Sequence, residues 1–285
     1  MTDKILVVIP ARNEEEFIGR VIEGLGRQKI KPLLTLIIDD GSTDDTIKEV
    51  KKAMEKTMIK YKILQRKDRG FTLDGEASLA QVYNDGFKSV NLSEFDYLLI
   101  NGADSLLSDD YFEKMLKHFH ENPNLVISSG TCPSEAIDRD HVHGSAGRFY
   151  NMVFFIDVCK GKFEISYAWE SIPVFLANIN NKIAMHFSEP LVYHLRPRNT
   201  RAEPKVFYFR GLAMREVGYW FPYALGRVLA NAMHEKSIKY AILMLVGYFR
   251  GRGLSSKHNF TEDYKNYQKK VFMQRMKRFF NKIIT

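Results

Sequence analysis

Residues 5–15 read ILVVIPARNEE and residues 34–46 read LTLIIDDGSTDDT, and these two stretches decide the fold. Each opens on an apolar run, interrupted in the second by Thr35 alone, and closes abruptly on polar, turn-forming residues. A short Val/Ile-rich run without alternation reads as a strand covered on both faces, the habit of parallel sheets. Between them, Glu14 to Gln28 places Phe17, Val21, Ile22 and Leu25 on one helical face, so the order is strand, helix, strand. Working outward, the spacing predicts a helix opened by Ser42 and running to about Lys56, then a strand over Tyr61 to Arg66. A helix over Gly75 to Val90, a strand over Tyr97 to Asn101, a helix over Asp109 to His120 and a strand over Leu125 to Thr131 follow. The fold class expected is α/β: a mostly parallel sheet flanked by helices, with a helical C-terminal appendage.

Sheets of this kind bind ligands beyond the carboxyl ends of their strands. The first strand ends in Pro10-Ala11-Arg12-Asn13-Glu14, the second in Asp39-Asp40-Gly41-Ser42 and the fourth in Asn101-Gly102-Ala103-Asp104. Asn and Asp side chains there can accept hydrogen bonds from a base or ribose. A carboxylate beside a Gly lets a hard cation and phosphates come close. A nucleoside-diphosphate site fits, and the competing structural reading makes Asp40-Gly41-Ser42 a turn and Ser42 or Asp44 a helix cap. Other nucleotide sites fit poorly: no phosphate-binding G-x-x-x-x-G-K-[ST] loop occurs, and Gly24-Leu25-Gly26 follows a helix and lacks a third glycine. Gly144-Ser145-Ala146-Gly147 is not a hydrolase nucleophile elbow.

Composition sets the outer bounds. At 285 residues and 33.1 kDa, with 45% hydrophobic and 27% charged residues, the chain is globular and large enough for one α/β unit plus an appendage. Cys132 and Cys159 are too few for a disulfide framework, and the start lacks a signal peptide's features, which points to a cytoplasmic protein. The longest apolar stretch, Tyr240 to Phe249, is far short of the roughly 20 residues needed to cross a bilayer. Charge is divided: residues 1–204 carry a net −4 and residues 205–285 a net +12. The same C-terminal 81 positions hold 16 of the 36 aromatic residues, so the division expected is a catalytic domain at 1–204 and a basic, aromatic-rich appendage at 205–285. No zinc finger, RNP signature or basic region with heptads points to nucleic acid, and a membrane surface is the better partner.

The pair VIPARNEEEFIGRVIEGL and LIIDDGSTDDT resembles the opening motifs of the family 2 glycosyltransferases. DYLLINGADSLLSDDYFEKML resembles the strand and metal-binding D-x-D of that family, YAWES its W-x-E-D-type motif, and LVYHLRP its histidine-bearing strand. The resemblance covers about residues 4–200. It implies a GT-A-like fold, a nucleotide-sugar donor, a sugar or lipid acceptor, usually inversion at the anomeric carbon, and Mg2+ or Mn2+ as cofactor. Residue by residue, Pro10, Ala11, Arg12 and Glu14 fall where the family lines base and ribose, and Asp39 and Asp40 fall on its first acidic motif. Asp104 takes the last Asp of D-x-D, and His194 the late histidine that approaches the metal or diphosphate in some members.

Two departures matter. Gly102 replaces the first Asp of D-x-D, and the WES stretch offers Glu170 where the family has two adjacent acids. Glu170 is the candidate general base, with Asp138, Asp157 and Glu164 in reserve, and a cap or ion pair at the following helix is its structural alternative. His141 and His143 read as an acceptor-side loop, Arg148 as a phosphate contact or a surface cover, and Arg196 and Arg198 as charge suited to a diphosphate. Within residues 205–285, Tyr219-Trp220-Phe221-Pro222-Tyr223 offers rings for a headgroup layer, and Val271 to Ile284 reads as an interfacial amphipathic helix, with packing on the domain or a homodimer as alternatives. Two rival functions stand beside transfer: a non-catalytic nucleotide-sugar-binding protein, and a sugar nucleotidyltransferase, against which the acidic ARNEEE argues.

Overall fold

The expected strands and helices form in a computed structural model, which describes residues 3–68, 75–133, 146–196, 204–251 and 260–284. In order they are β1 (Ile5–Ala11), α1 (Ile18–Arg27), β2 (Leu34–Asp39), α2 (Thr46–Thr57), β3 (Tyr61–Gln65), α3 (Gly75–Phe87), β4 (Tyr97–Ile100), β5 (Ser105–Leu107), α4 (Tyr111–Glu121) and β6 (Leu125–Thr131). There follow β7 (Arg148–Asn151), α5 (Met152–Asp157), α6 (Ile172–Ile179), β8 (Ile183–His194), α7 (Pro204–Glu216), α8 (Phe221–His234), α9 (Ile238–Arg250) and α10 (Phe260–Ile284). The chain divides into two compact units, one of residues 1–164 and 180–198, the other of residues 165–179 and 199–285.

In the first unit the sheet order is β3-β2-β1-β4-β7-β6-β8-β5. The first four strands are parallel to one another, β7 runs antiparallel between β4 and β6, and β5 is antiparallel to β8. The parallel part is what the Val/Ile runs foretold, since Ile5 to Ile9 and Leu36 to Ile38 are fully buried. Each such side chain removed from water contributes about 1.5–3 kcal/mol. Ile5, Val7 and Ile9 join Ile18, Val21, Leu25, Val50, Met54, Phe112 and Met115 in one core beneath α1, α2 and α4. Gln28, with no exposed surface, fastens this layer: its Nε2 donates to the Ser108 carbonyl at 2.7 Å and its Oε1 accepts from Phe112 N at 3.1 Å. The alternation of a strand sends Leu6 and Val8 to the opposite face, where α3 packs on β1 and β2. Tyr83, Phe87, Phe155 and Phe163 form an edge-to-face ring cluster.

β1 lies between β2 and β4, so the connections run outward in one direction before β3 and in the other after it. Open sheets bind ligands at such a reversal, beyond the carboxyl ends of β1, β2 and β4, where the acidic residues sit.

The second unit is helical. Phe207, Met214, Val217, Tyr219, Met244, Tyr248 and Tyr264 make its core. α7 and α9 cross backbone against backbone at Gly211 and Gly247: a Cβ on Gly247 would collide with the Tyr208 carbonyl, and one on Gly211 with that of Met244. Many of the aromatic residues of residues 205–285 are internal, as in the stacks of Phe175 on Tyr264 and Phe207 on Tyr240, both at 4.0 Å. Residues 219–223, read as rings for a headgroup layer, divide between the interior and the surface. Tyr219 is buried and Trp220 packs its ring against Phe272 at 5.4 Å, while Phe221 and Pro222 are exposed. Among the described residues no helix is long and apolar enough to cross a membrane.

Candidate active site

The loops that follow β1 and β2 are laced together through backbone donors. Asn13 N donates to Ser42 Oγ at 3.0 Å, Thr43 N to Asn13 Oδ1 at 2.8 Å, Glu14 N to Thr46 Oγ1 at 2.8 Å and Asp45 N to Glu15 Oε2 at 2.8 Å. Asp44 accepts from Thr46 N and Glu15 N; burial works against its charge, but these hydrogen bonds hold its carboxyl below the usual value. Asn13 itself turns through φ 52°. Thus Ser42 and Asp44 act structurally, in the turn rather than as the cap of α2, which begins at Thr46 after Asp45, and with Asn13 they fix the edge on which the other residues stand. Gly41 is required there, with φ 76° and the Asp68 backbone N only 2.7 Å from where a Cβ would be.

One charged group gathers at the ends of β1, β2 and β3. Arg12 donates to the Asp40 carbonyl at 3.0 Å and to Asp68 Oδ1 at 2.7 Å. Arg66, its side chain only 10% exposed, pairs with Asp40 and, at 2.9 Å, with Asp85. Asp39 is buried and its Oδ1 accepts from Ser42 N at 3.0 Å. Pro10 is partly exposed, whereas Ala11 is a buried core residue whose carbonyl accepts from Asp40 N at 2.9 Å. Arg66 escaped the sequence reading, which examined the first, second and fourth strand ends; the third, ending in Gln65-Arg66, faces the same edge.

A second group joins the loops after β1 and β4 to the end of β8. Glu14 Oε2 meets Arg196 at 2.6 Å, and the Leu195 N–H donates to the Asp104 carbonyl at 2.8 Å. The Ser105 hydroxyl lies 3.2 Å from both Asp104 Oδ1 and His194 Nδ1, so Asp104 and His194 stand on either side of it. Burial raises the Glu14 pKa, Arg196 opposes the rise, and Asp104 and Asp44 add to it. Burial thus outweighs the Arg196 guanidinium at Glu14. Asn101 does not face a ligand: fully buried, it donates to the Ser105 carbonyl at 2.7 Å and accepts from Gly147 N at 3.0 Å. It is a clamp on the loop. The loop also accounts for Gly102, where a Cβ would stand 2.8 Å from Ser105 Oγ and 3.0 Å from Asp104 Oδ1.

Arg148 is 2% exposed on β7, opposite Ile100 of β4, which overturns its reading as a surface cover. Glu170 belongs to the other unit, in the turn that enters α6. Glu216 holds this turn by accepting from Ser166 Oγ and, at 2.9 Å, from Tyr167 N; Ser166 Oγ in turn accepts from Ala168 N at 3.0 Å. Burial raises the Glu216 pKa against those two hydrogen bonds. Asp157 is exposed at the end of α5. Asp138, His141, His143 and Arg198 lie outside the described residues. Among the described residues no three His, Cys, Asp or Glu cluster as a ready metal site. Asp104 and His194 offer two donors, a set that suits a cation whose remaining ligands come from a diphosphate.

Comparison with known proteins identifies the family. Residues 6–183 match Glycosyl transferase family 2. A search of curated sequences finds no match. The mannosyltransferase PcManGT from Pyrobaculum calidifontis, solved in complex with GDP-Man and Mn2+, superposes with a TM-score of 0.60 at 13% identity over 99% of this chain and 88% of its own. S. aureus TarS 1–349 in complex with UDP-GlcNAc gives 0.56 at 16% identity over 75% of this chain and 66% of its own. For the longer TarS chain the values are 0.54, 16%, 75% and 39%, so this chain spans well under half of that protein. At such identities the structures speak for the fold, and the family match, running over more than half of the residues, speaks for the kinship: the chain belongs to glycosyl transferase family 2.

Proposed function

We propose that this chain moves a sugar from a nucleoside-diphosphate-sugar to an acceptor hydroxyl, with inversion. The observation that carries the reading is the convergence of Glu14, Asp104, Ser105, His194 and Arg196 at the strand-order reversal of a family 2 sheet. The acceptor oxygen attacks the anomeric carbon, the bond from that carbon to the diphosphate breaks, and the acceptor proton passes to a carboxylate. We assign that base to Glu170. The donor's base and ribose fall to the Arg12, Asp39 and Asp40 side of the edge, the diphosphate to the Arg196 side. Asp104 and His194 are the residues that would hold Mg2+ or Mn2+, and the cation would neutralise charge on the departing diphosphate. Residues 1–204 form the catalytic domain in this reading, and residues 205–285 an appendage that serves a membrane-proximal or polysaccharide acceptor.

A panel of UDP-, GDP- and dTDP-sugars with and without Mn2+ tests it by thermal shift, since a ligand bound only by the folded chain raises its melting temperature. No shift with any donor would end the reading. Glu170→Gln is expected to keep donor binding and to lower turnover by about 10²–10⁴-fold, the usual worth of a general base. Gly102, in place of an acid, favours one second reading: a nucleotide-sugar-binding protein without turnover, which would shift thermally with a donor yet release no nucleoside diphosphate.

A further inference from the structure

α8 and α9 form an antiparallel hairpin whose outer face is apolar from end to end. Phe221 (43% exposed), Leu229 (55%) and Met233 (75%) lie along α8, and Ile238 (76%), Ile242 (54%) and Phe249 (68%) along α9. The spacings are helical, each set falling on one side of its helix. Phe221 and Phe249 meet at one end, with ring centroids 5.7 Å apart, and Met233 and Ile238 flank the turn at the other. The inward side of the same helices is already occupied by Ala224, Val228, Met244 and Tyr248 in the core of the unit. Six large apolar side chains left in water along one hairpin are more than a scatter of single exposed residues and mark a surface that binds something.

Charge identifies what it binds. Lys236, Lys239 and Arg250 are exposed on the hairpin, and Glu235 is the single acidic residue between 221 and 251. Two copies of this face brought together would set that basic fringe near itself, whereas anionic headgroups would neutralise it. The helices are 14 and 13 residues long, about 20 Å each, too short to cross a hydrocarbon core of about 30 Å but suited to lying in its surface. We propose that the α8–α9 hairpin inserts this apolar face into an anionic lipid surface. The assignment deepens the reading of residues 205–285 as membrane-facing and places the contact in the hairpin, upstream of the amphipathic stretch at residues 271–284.

The test uses the full chain with vesicles of phosphatidylcholine, alone or containing phosphatidylglycerol. The wild-type chain is expected to sediment with the anionic vesicles, less so as salt rises, and little with the neutral ones. Ile238→Glu/Ile242→Glu should lower partition by about tenfold or more, because two apolar side chains no longer leave water. Lys236→Glu/Lys239→Glu should abolish the preference for anionic lipid. Both pairs are exposed, so circular dichroism should report an unchanged fold, and donor-dependent nucleotide release in solution should be unchanged, which keeps this proposal separable from the transferase reading. It is overturned if the wild-type chain ignores anionic vesicles, if the isoleucine variant binds them as well as wild type, or if light scattering shows a dimer that the same substitutions dissolve.

Discussion

At the edge of the sheet, charge is balanced pair by pair within hydrogen-bonding distance: Arg12 with Asp68, Arg66 with Asp40 and Asp85, Arg196 with Glu14. In the α7–α10 unit the reverse holds, with aromatic rings and two touching glycines making the interior and basic residues left on the outside. The first arrangement suits a small charged ligand, because fixed carboxylates and guanidinium groups can exchange partners with it at little cost in order. The second suits an extended partner that presents apolar area and opposite charge. The contrast follows from composition, −4 over residues 1–204 and +12 over the rest, and it can be broken from either side.

The largest effect belongs to the edge. Asp104→Asn keeps shape and removes charge, and it is expected to lower sugar transfer by about 10²–10³-fold and to abolish the metal dependence of nucleotide binding, with the melting temperature unchanged. Initial rates with and without Mn2+ measure it, and an unaltered rate would remove Asp104 from the site. Next comes the helical unit, where Gly247→Val forces a side chain into the Tyr208 carbonyl and should cost about 1–3 kcal/mol in thermal or urea unfolding. A neutral result would mean that α7 and α9 separate without loss. Smaller again is Asp40→Ala, which frees Arg66 from one of its two carboxylates and should weaken nucleotide binding about tenfold, equally with and without metal. A change confined to the metal-dependent part, read by calorimetry, would exchange the roles assigned to Asp40 and Asp104.

What the sequence disclosed follows the same contrast. Strands β1, β2 and β4 were legible because burial on both faces demands apolar runs, and their ends were legible because the polar residues follow at once. Arg66 was not, since its partners Asp40 and Asp85 are distant in sequence and become neighbours only when β3 pairs with β2. Asn101 reads as a ligand-facing residue by type, yet its partners, Ser105 and Gly147, make it a clamp. In the helical unit the aromatic content was plain, but which rings turn inward depends on the α7–α9 crossing. The turn before α6, with Glu170, packs with a segment that begins some thirty residues later.

The smallest expected effect separates two carboxyls that share a symptom. Glu14 and Glu216 both titrate above the ordinary glutamate value, and burial is the main cause in each. Their surroundings differ. Glu216 has only neutral hydrogen-bond donors, Ser166 and the Tyr167 backbone, to oppose burial, whereas Glu14 has Arg196 against it and the like charges of Asp104 and Asp44 beside it. A carboxyl whose pKa is higher folded than unfolded binds its proton more readily in the folded chain. The stability it contributes is therefore complete below the unfolded pKa and is lost as pH climbs through the folded one. Glu14→Gln and Glu216→Gln should each remove part of that decline, measured as urea midpoints across the acid range. Asp104→Asn distinguishes them: carboxyl NMR titration should show the Glu14 midpoint move down, because a repelling charge has gone, while Glu216 stays in place. A stationary Glu14 would mean that the two carboxylates do not feel each other. The rise at Glu14 would then rest on burial and Asp44 alone.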